Sequence, residues 1–427
     1  MGPHSTLLAG VIVLAALLVT DVSAQSCPGV TGRFQPKMGS GYRYSVLATG
    51  LRNPRHIAVD AAGNLLVAEA GSQAVRRLVL QDQGDIVCVQ SNTQIISGST
   101  NHGIALSADG KTLFTSNLAS VTACSYDAAT GQVGQARPIV TGMSFQGSHP
   151  TRAIATSKWS PDTILVARGS QSNIDTLAVD RAAARSMIKT FSISQGLQAA
   201  HDYATGGEVL AWGLRNIVGM TEDPVFGGIV WCWSVENQMD DLRLNGRDIH
   251  NDNPAERLSY HGMLNDTENR YKGLNYGYPS CVPAWDPQNV GIDGLLVGSL
   301  FKPDNVPNVD ANECANNRMT GRLHFHAHTA PLDIKFNKNS TAAYIAFHGS
   351  WNRNPADGYR VTRVDFADGQ PVHHVTSKTA QVPVMENSNI GACPMNCFRP
   401  VGLAFDEKGR LFVSSDSSGE IYVIYGA

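Results

Sequence analysis

One phrase recurs along this chain and constrains its fold more than any other feature. It runs as a polar residue, a short apolar stretch, a turn built on Asp, Gly or Asn, and a second apolar stretch. It reads Arg55-His-Ile-Ala-Val-Asp-Ala-Ala-Gly-Asn-Leu-Leu-Val-Ala-Glu69, then His102-Gly-Ile-Ala-Leu-Ser-Ala-Asp-Gly-Lys-Thr-Leu-Phe-Thr-Ser116, and last Arg399-Pro-Val-Gly-Leu-Ala-Phe-Asp-Glu-Lys-Gly-Arg-Leu-Phe-Val-Ser-Ser415. Weaker copies begin at Arg152, Arg215 and Ala330, so the starts at 55, 102, 152, 215, 330 and 399 lie 47, 50, 63, 115 and 69 residues apart. Blades of four short strands repeat radially every ~40–50 residues before insertions. The pattern therefore predicts an all-β, six-bladed propeller spanning residues 25–427, with a long insertion at about 237–317. The last copy is followed by one strand-like run, Glu420–Tyr425, and Tyr42–Ala48 is expected to supply the missing strand and close the ring. Helical patterning is scarce; one short helix is expected around Val179–Ser186.

The first 24 residues read as a secretion signal. Leu7–Val19 is apolar, and Val22-Ser23-Ala24 offers small residues for cleavage; such a run is too short for a membrane span. No later stretch is long and apolar enough to be one, so no membrane association is expected. All eight cysteines (27, 88, 124, 232, 281, 314, 393, 397) follow the signal, and an even count in an oxidising compartment favours disulfides. The sequence-local pairs Cys281–Cys314 and Cys393–Cys397 are expected. The sequons Asn265-Asp-Thr and Asn339-Ser-Thr suit surface loops of a secreted glycoprotein. Lys+Arg 33 against Asp+Glu 36, a net charge of −3, lacks the basic footprint of a nucleic-acid binder.

In a propeller the first residue of each innermost strand sits at one mouth of the central channel. The repeat would bring Arg55, His102, Arg152, Arg215, His328 and Arg399 to that mouth. Clustered guanidinium groups need anions, from the protein or from a ligand. Locking of neighbouring blades would use them internally; a pocket for a compact polyanion is the alternative. His348-Gly-Ser-Trp-Asn-Arg353 should reach the same rim with an aromatic face and amide donors, and Trp212-Gly-Leu-Arg-Asn216 adds an Arg–Asn pair. Glu236, Asn237 and Asp240 offer clustered oxygens of the kind Ca²⁺ prefers.

At these residues the chain resembles the PQQ-dependent sugar dehydrogenases, and most closely the secreted fungal pyranose dehydrogenases. The matching phrases are Gly50-Leu-Arg-Asn-Pro-Arg55, Asn101-His-Gly103, Trp212-Gly-Leu-Arg-Asn216, His328-Thr-Ala-Pro-Leu332, His348-Gly-Ser-Trp-Asn-Arg353 and Phe398-Arg-Pro400. The resemblance implies a six-bladed propeller binding pyrroloquinoline quinone (PQQ), a planar tricarboxylate, together with Ca²⁺. It implies oxidation of a sugar hemiacetal at C1 to a lactone, with His102 as general base and Arg215 stabilising charge on the quinone. Arg55, Arg215, Asn216, His348, Trp351, Asn352 and Arg399 are the implied cofactor contacts, and Glu236, Asn237 and Asp240 the candidate metal ligands. Where bacterial relatives place an aspartate to orient the histidine, this chain has Ser116-Asn117, which leaves the orienting partner of His102 open. Electrons are expected to pass to an external acceptor such as a quinone or a secreted copper monooxygenase.

Two other functions fit a six-bladed ring. A Ca²⁺-dependent lactonase or esterase would ring its channel metal with carboxylates and amides rather than arginines. A non-catalytic carbohydrate-binding propeller would repeat an aromatic pocket blade by blade, whereas Trp351 is the one tryptophan among the candidate pocket residues.

Overall fold

The computed structural model describes residues 1–2, 27–98, 100–144, 147–224 and 231–427. The expected secretion signal lies outside the described residues except for its first two. Six sheets of four to six strands are arranged as a six-bladed propeller. Blade 1 comprises Pro54–Val59, Leu65–Glu69, Ala74–Gln83 and Ile86–Ser97; blade 2, Ile104–Leu106, Thr112–Ser116, Val121–Ser125 and Arg137–Thr141. Blade 3 comprises Ile154–Thr156, Thr163–Arg168, Met187–Ser192 and Glu208–Trp212; blade 4, Asn216–Glu222, Trp231–Asn237, Glu256–Met263 and Leu323–Phe325. Blade 5 comprises Pro331–Phe336, Ala342–Phe347, Arg360–Ala367 and Val382–Glu386. Blade 6 takes Pro400–Phe405, Leu411–Ser415 and Glu420–Tyr425 from one end of the chain and Arg43–Ala48 from the other. That outermost pairing is antiparallel, with Arg43 opposite Tyr425 and Ala48 opposite Ile421.

The period-2 alternation of each strand decides how the blades stack. In the second strand of blade 1, Leu65 and Val67 pack with Phe412 and Val423 of blade 6, while Leu66 and Ala68 face Ile104 and Leu113 of blade 2. The same division gives one apolar layer between each successive pair of blades. Both faces of every blade are thus buried, which is why the strands read as near-continuous apolar runs and not as alternation. On the axis, Val218, Leu332 and Val401 form a small apolar plug. The innermost strands approach so closely there that a Cβ at Gly219 would stand 2.5 Å from Asp333 Cα.

Two expectations need correction. The segment around Val179–Ser186 forms two 3₁₀ turns, Thr176–Val179 and Arg181–Ala183, separated by Asp180, whose side chain caps the second. The expected insertion at 237–317 is in fact two excursions. Glu256–Met263 between them is the third strand of blade 4, paired with Trp231–Asn237. The excursions carry a satellite core of Met239, Leu242, Ile249, Tyr278, Val290 and Phe301. The disulfides Cys281–Cys314 and Cys393–Cys397 are present, joined by Cys27–Cys88, which the sequence did not suggest; Cys124 and Cys232 are free and buried. Among the described residues no helix is long and apolar enough to cross a membrane.

Candidate active site

The innermost strands of the blades begin at one face of the ring, and the second strands end there. Into that face opens a cavity of about 460 Å³, lined from blade 3 round to blade 6 and by the first excursion of blade 4. This size suits a small-molecule ligand. Of the residues singled out in the sequence, Arg215, Asn216, Asn237, Asp240, His328, His348, Trp351, Asn352 and Arg399 line it.

Its charges are largely paired. Arg215, just before the innermost strand of blade 4, donates from Nη2 to Asp240 Oδ2 at 3.0 Å and to Asn173 Oδ1 at 3.0 Å. Asp240 Oδ1 accepts from Asn352 Nδ2 at 2.9 Å and lies 3.4 Å from His328 Nδ1. Burial works to raise the Asp240 carboxyl, but His328 and Arg215 outweigh it and hold the pKa below the ordinary value. For His328 burial works downward, but Asp240 and Glu256 prevail and raise it. Glu256, buried in the cavity wall, is pushed up to about 7 by that burial. Arg399 donates to the carbonyls of His348 (3.1 Å) and Gly349 (3.0 Å), and its guanidinium lies 5.5 Å from the Tyr359 ring centre.

Several buried polar atoms here have no protein partner among the described residues: Asn216 Oδ1, Asn352 Oδ1 and both side-chain amide atoms of Gln238. Leaving such an atom unpaired costs about 1–3 kcal/mol, so their convergence on one cavity fits a polar ligand. The close fit extends behind them, since a Cβ at Gly169 would meet Asn216 Oδ1 at 2.7 Å and His149 Cβ at 3.0 Å. Trp351 stands at the lip, 68 % exposed. Two arginines, neutral amides and an aromatic face suit a flat, polycarboxylated ligand in kind.

Three expected site residues are placed elsewhere. His102 does not line the cavity but lies fully buried on the channel axis, its ring 3.9 Å from that of His56. Both ring nitrogens are occupied: Arg55 Nε donates to Nδ1 at 3.3 Å, and Nε2 lies 3.2 Å from the Val218 carbonyl. A carbonyl only accepts, so the proton sits on Nε2, and no lone pair is left for a substrate. Burial, with His56 and Arg55, holds its pKa well below the ordinary value. Arg55 also lies outside the lining, paired with Asp416 at 2.6 Å. Glu236 is sealed in blade 4, where Arg257 directly across the strand pair takes one oxygen at 2.5 Å and the Arg215 amide takes the other at 2.6 Å. Its carboxylate is therefore spent on the scaffold and is unavailable to a metal. Asp240 has both oxygens in contact with protein donors, and no cluster of three or more His, Cys, Asp or Glu side chains stands ready for a metal among the described residues.

The residue that sequence reasoning passed over is His149. It lines the cavity, in the loop entering blade 3. Its Nδ1 lies 2.9 Å from the Ser170 carbonyl and 3.0 Å from Ser170 Oγ. The carbonyl again fixes the proton, here on Nδ1, and Nε2 keeps its lone pair with no protein partner among the described residues. Burial and then the neighbouring Arg215 lower its pKa to about 4, so the ring is neutral near pH 7. A signal existed, because His149 stands three residues before the repeat position Arg152. Arg152 itself is buried, its guanidinium donating to the carbonyls of Met143, His149 and Thr151.

Comparison with known proteins adds the following. A family model described as TrAA12-like matches residues 36–427. The chain is 40% identical, over 99% of its own length and 97% of the other's, to a pyrroloquinoline quinone-dependent sugar dehydrogenase of Hypocrea jecorina. It is 36% identical to a pyrroloquinoline quinone-dependent pyranose dehydrogenase of Coprinopsis cinerea, over 93% of this chain but 56% of that longer protein. The calcium structure of the Trichoderma reesei family AA12 enzyme superposes with a TM-score of 0.89 at 40% identity, covering 94% of this chain and all of that one.

Proposed function

The chain belongs to the TrAA12-like family, and from that premise we propose that it is a secreted PQQ-dependent sugar dehydrogenase oxidising the C1 hydroxyl of a pyranose or ketoaldose to a lactone. The observation that carries the reading is His149: a neutral imidazole at the cavity wall, tautomer fixed by Ser170, with an unpaired Nε2 beside Arg215. Nε2 takes the hydroxyl proton as hydride leaves C1; this proton transfer contributes ~10²–10⁴-fold in rate. PQQ, when bound, supplies the two-electron acceptor. Arg215 and Arg399 would hold its acidic groups, Asn216 and Asn352 its polar edge, and Trp351 its face or that of the sugar. Arg215, already fixed by Asp240 and Asn173, is an oriented cation that needs no rearrangement as negative charge develops nearby. Ca²⁺ would draw on neutral oxygens, for which Asn216 Oδ1, Asn352 Oδ1 and Gln238 Oε1 are buried acceptors without partners among the described residues. Reducing equivalents then leave to an external acceptor. Three disulfides and the expected leader support extracellular work. The sequon residues Asn265 and Asn339 are both exposed, beside strand ends on the face opposite the cavity.

Titration of the purified protein with PQQ and Ca²⁺, followed by dye reduction over a panel of sugars, tests the proposal. Saturable binding with sugar-dependent reduction is expected. Absence of PQQ binding, or binding without reduction by any sugar, overturns it.

A further inference from the structure

Behind the cavity wall lies a carboxylate, Asp416, that the reaction above does not use, set against two residues of that wall, His348 and Arg399. Asp416 follows the second strand of blade 6 and is partly buried among three cations or potential cations drawn from three blades. Its Oδ2 accepts from Arg55 Nη1 of blade 1 at 2.6 Å, its Oδ1 lies 2.9 Å from His348 Nε2 of blade 5, and Arg399 flanks it electrostatically. Burial works to raise the Asp416 carboxyl, but His348, Arg55 and Arg399 outweigh it and keep the group ionised. An ionised carboxylate can only accept a hydrogen bond, so the His348 proton is held on Nε2. Nδ1 is then a lone pair, with no partner among the described residues, on a side chain that lines the cavity. A lone pair repels a carboxylate or quinone oxygen and welcomes a hydroxyl.

We propose that Asp416 is a positioning residue that fixes His348 as a hydrogen-bond acceptor, and that His348 Nδ1 thereby reads a hydroxyl of the sugar and not an acidic group of the cofactor. This rests on the sugar-dehydrogenase reading and places His348 on the sugar side and not among the cofactor contacts. It also gives Arg55 a role behind the wall: the arginine tethers the second carboxylate oxygen, so the first can point only at the imidazole.

The test has two parts. In protein labelled with ¹⁵N-histidine and free of cofactor, the His348 imidazole, assigned by its loss in His348→Gln, should show the Nε2–H tautomer. Asp416→Asn, which can donate as well as accept, should shift it toward a mixture or toward Nδ1–H. In the PQQ-loaded protein, Asp416→Asn should raise the sugar KM about tenfold, by more than it lowers kcat, with PQQ affinity within about threefold of wild type. A wild-type Nδ1–H tautomer overturns the proposal. So does a loss of PQQ affinity with an unchanged KM. If Asp416→Asn does not fold, the wild-type spectrum and the KM of His348→Gln decide. If no sugar is oxidised at all, the parent reading fails, while the spectrum still decides what Asp416 does to His348.

Discussion

His102 and His149 enter successive blades of the same ring, both are pushed by burial toward the neutral form, and their protons sit on opposite nitrogens. At His102 the arrangement consumes the imidazole: Arg55 donates to one side and Val218 accepts on the other. At His149 one carbonyl and one hydroxyl hold a single nitrogen and leave the other to the cavity. A lowered pKa is common to both and discriminates nothing; the unspent lone pair does. Burial without an opening leaves a histidine no lone pair to offer a substrate, and burial beside an opening leaves it one.

The comparison can be broken most sharply at His149. His149→Ala should lower turnover by at least ~100-fold while PQQ affinity, read by titration, stays within about tenfold. His102→Ala should leave turnover within a few-fold, and the opposite ranking would exchange the two roles. Next in size is Gly169→Ala, whose methyl would strike Asn216 Oδ1 and the His149 Cβ; activity should fall about tenfold or more, with overall secondary structure by circular dichroism retained. His102→Ala has its own signature in stability, a loss of about 2 kcal/mol in urea denaturation, because the channel around His56 and Arg55 loses packing and both hydrogen bonds of the ring. The smallest effect is a slope. His56 and His149 titrate near 4 in the folded state, held down chiefly by burial, against ~6.5 unfolded. The unfolded chain therefore binds more protons between those limits, so stability present above pH 6.5 is lost as pH falls toward 4, by about 1.4 kcal/mol per pH unit for each such histidine. His102, also depressed, belongs to this set, and His102→Ala should flatten the curve of stability against pH by about one histidine's share. An unchanged slope would mean that His102 is already charged in the folded protein.

Architecture was legible because it is written in a repeat. Each copy carries its own turn and apolar runs, and the closing strand Arg43–Ala48 was recognisable from the strand that the last copy lacked. Chemistry was less legible because it depends on where side chains point. The repeat aligned Arg152 with the mouth, but its guanidinium turns inward to carbonyls and acts as a brace behind His149. Glu236 looked like a metal ligand until its cross-strand neighbour proved to be Arg257, 21 residues away in sequence. Cys27–Cys88 escaped for a related reason, since a separation of 61 residues offers no local cue.

The seam in blade 6 bears on how such a molecule is made. The strand completing that blade, Arg43–Ala48, is made before the other five blades, and its partner, Glu420–Tyr425, after them. Until Glu420–Tyr425 is made, Arg43–Ala48 waits without its neighbour and Arg55 without Asp416, so the ring and the wall behind its cavity are finished together.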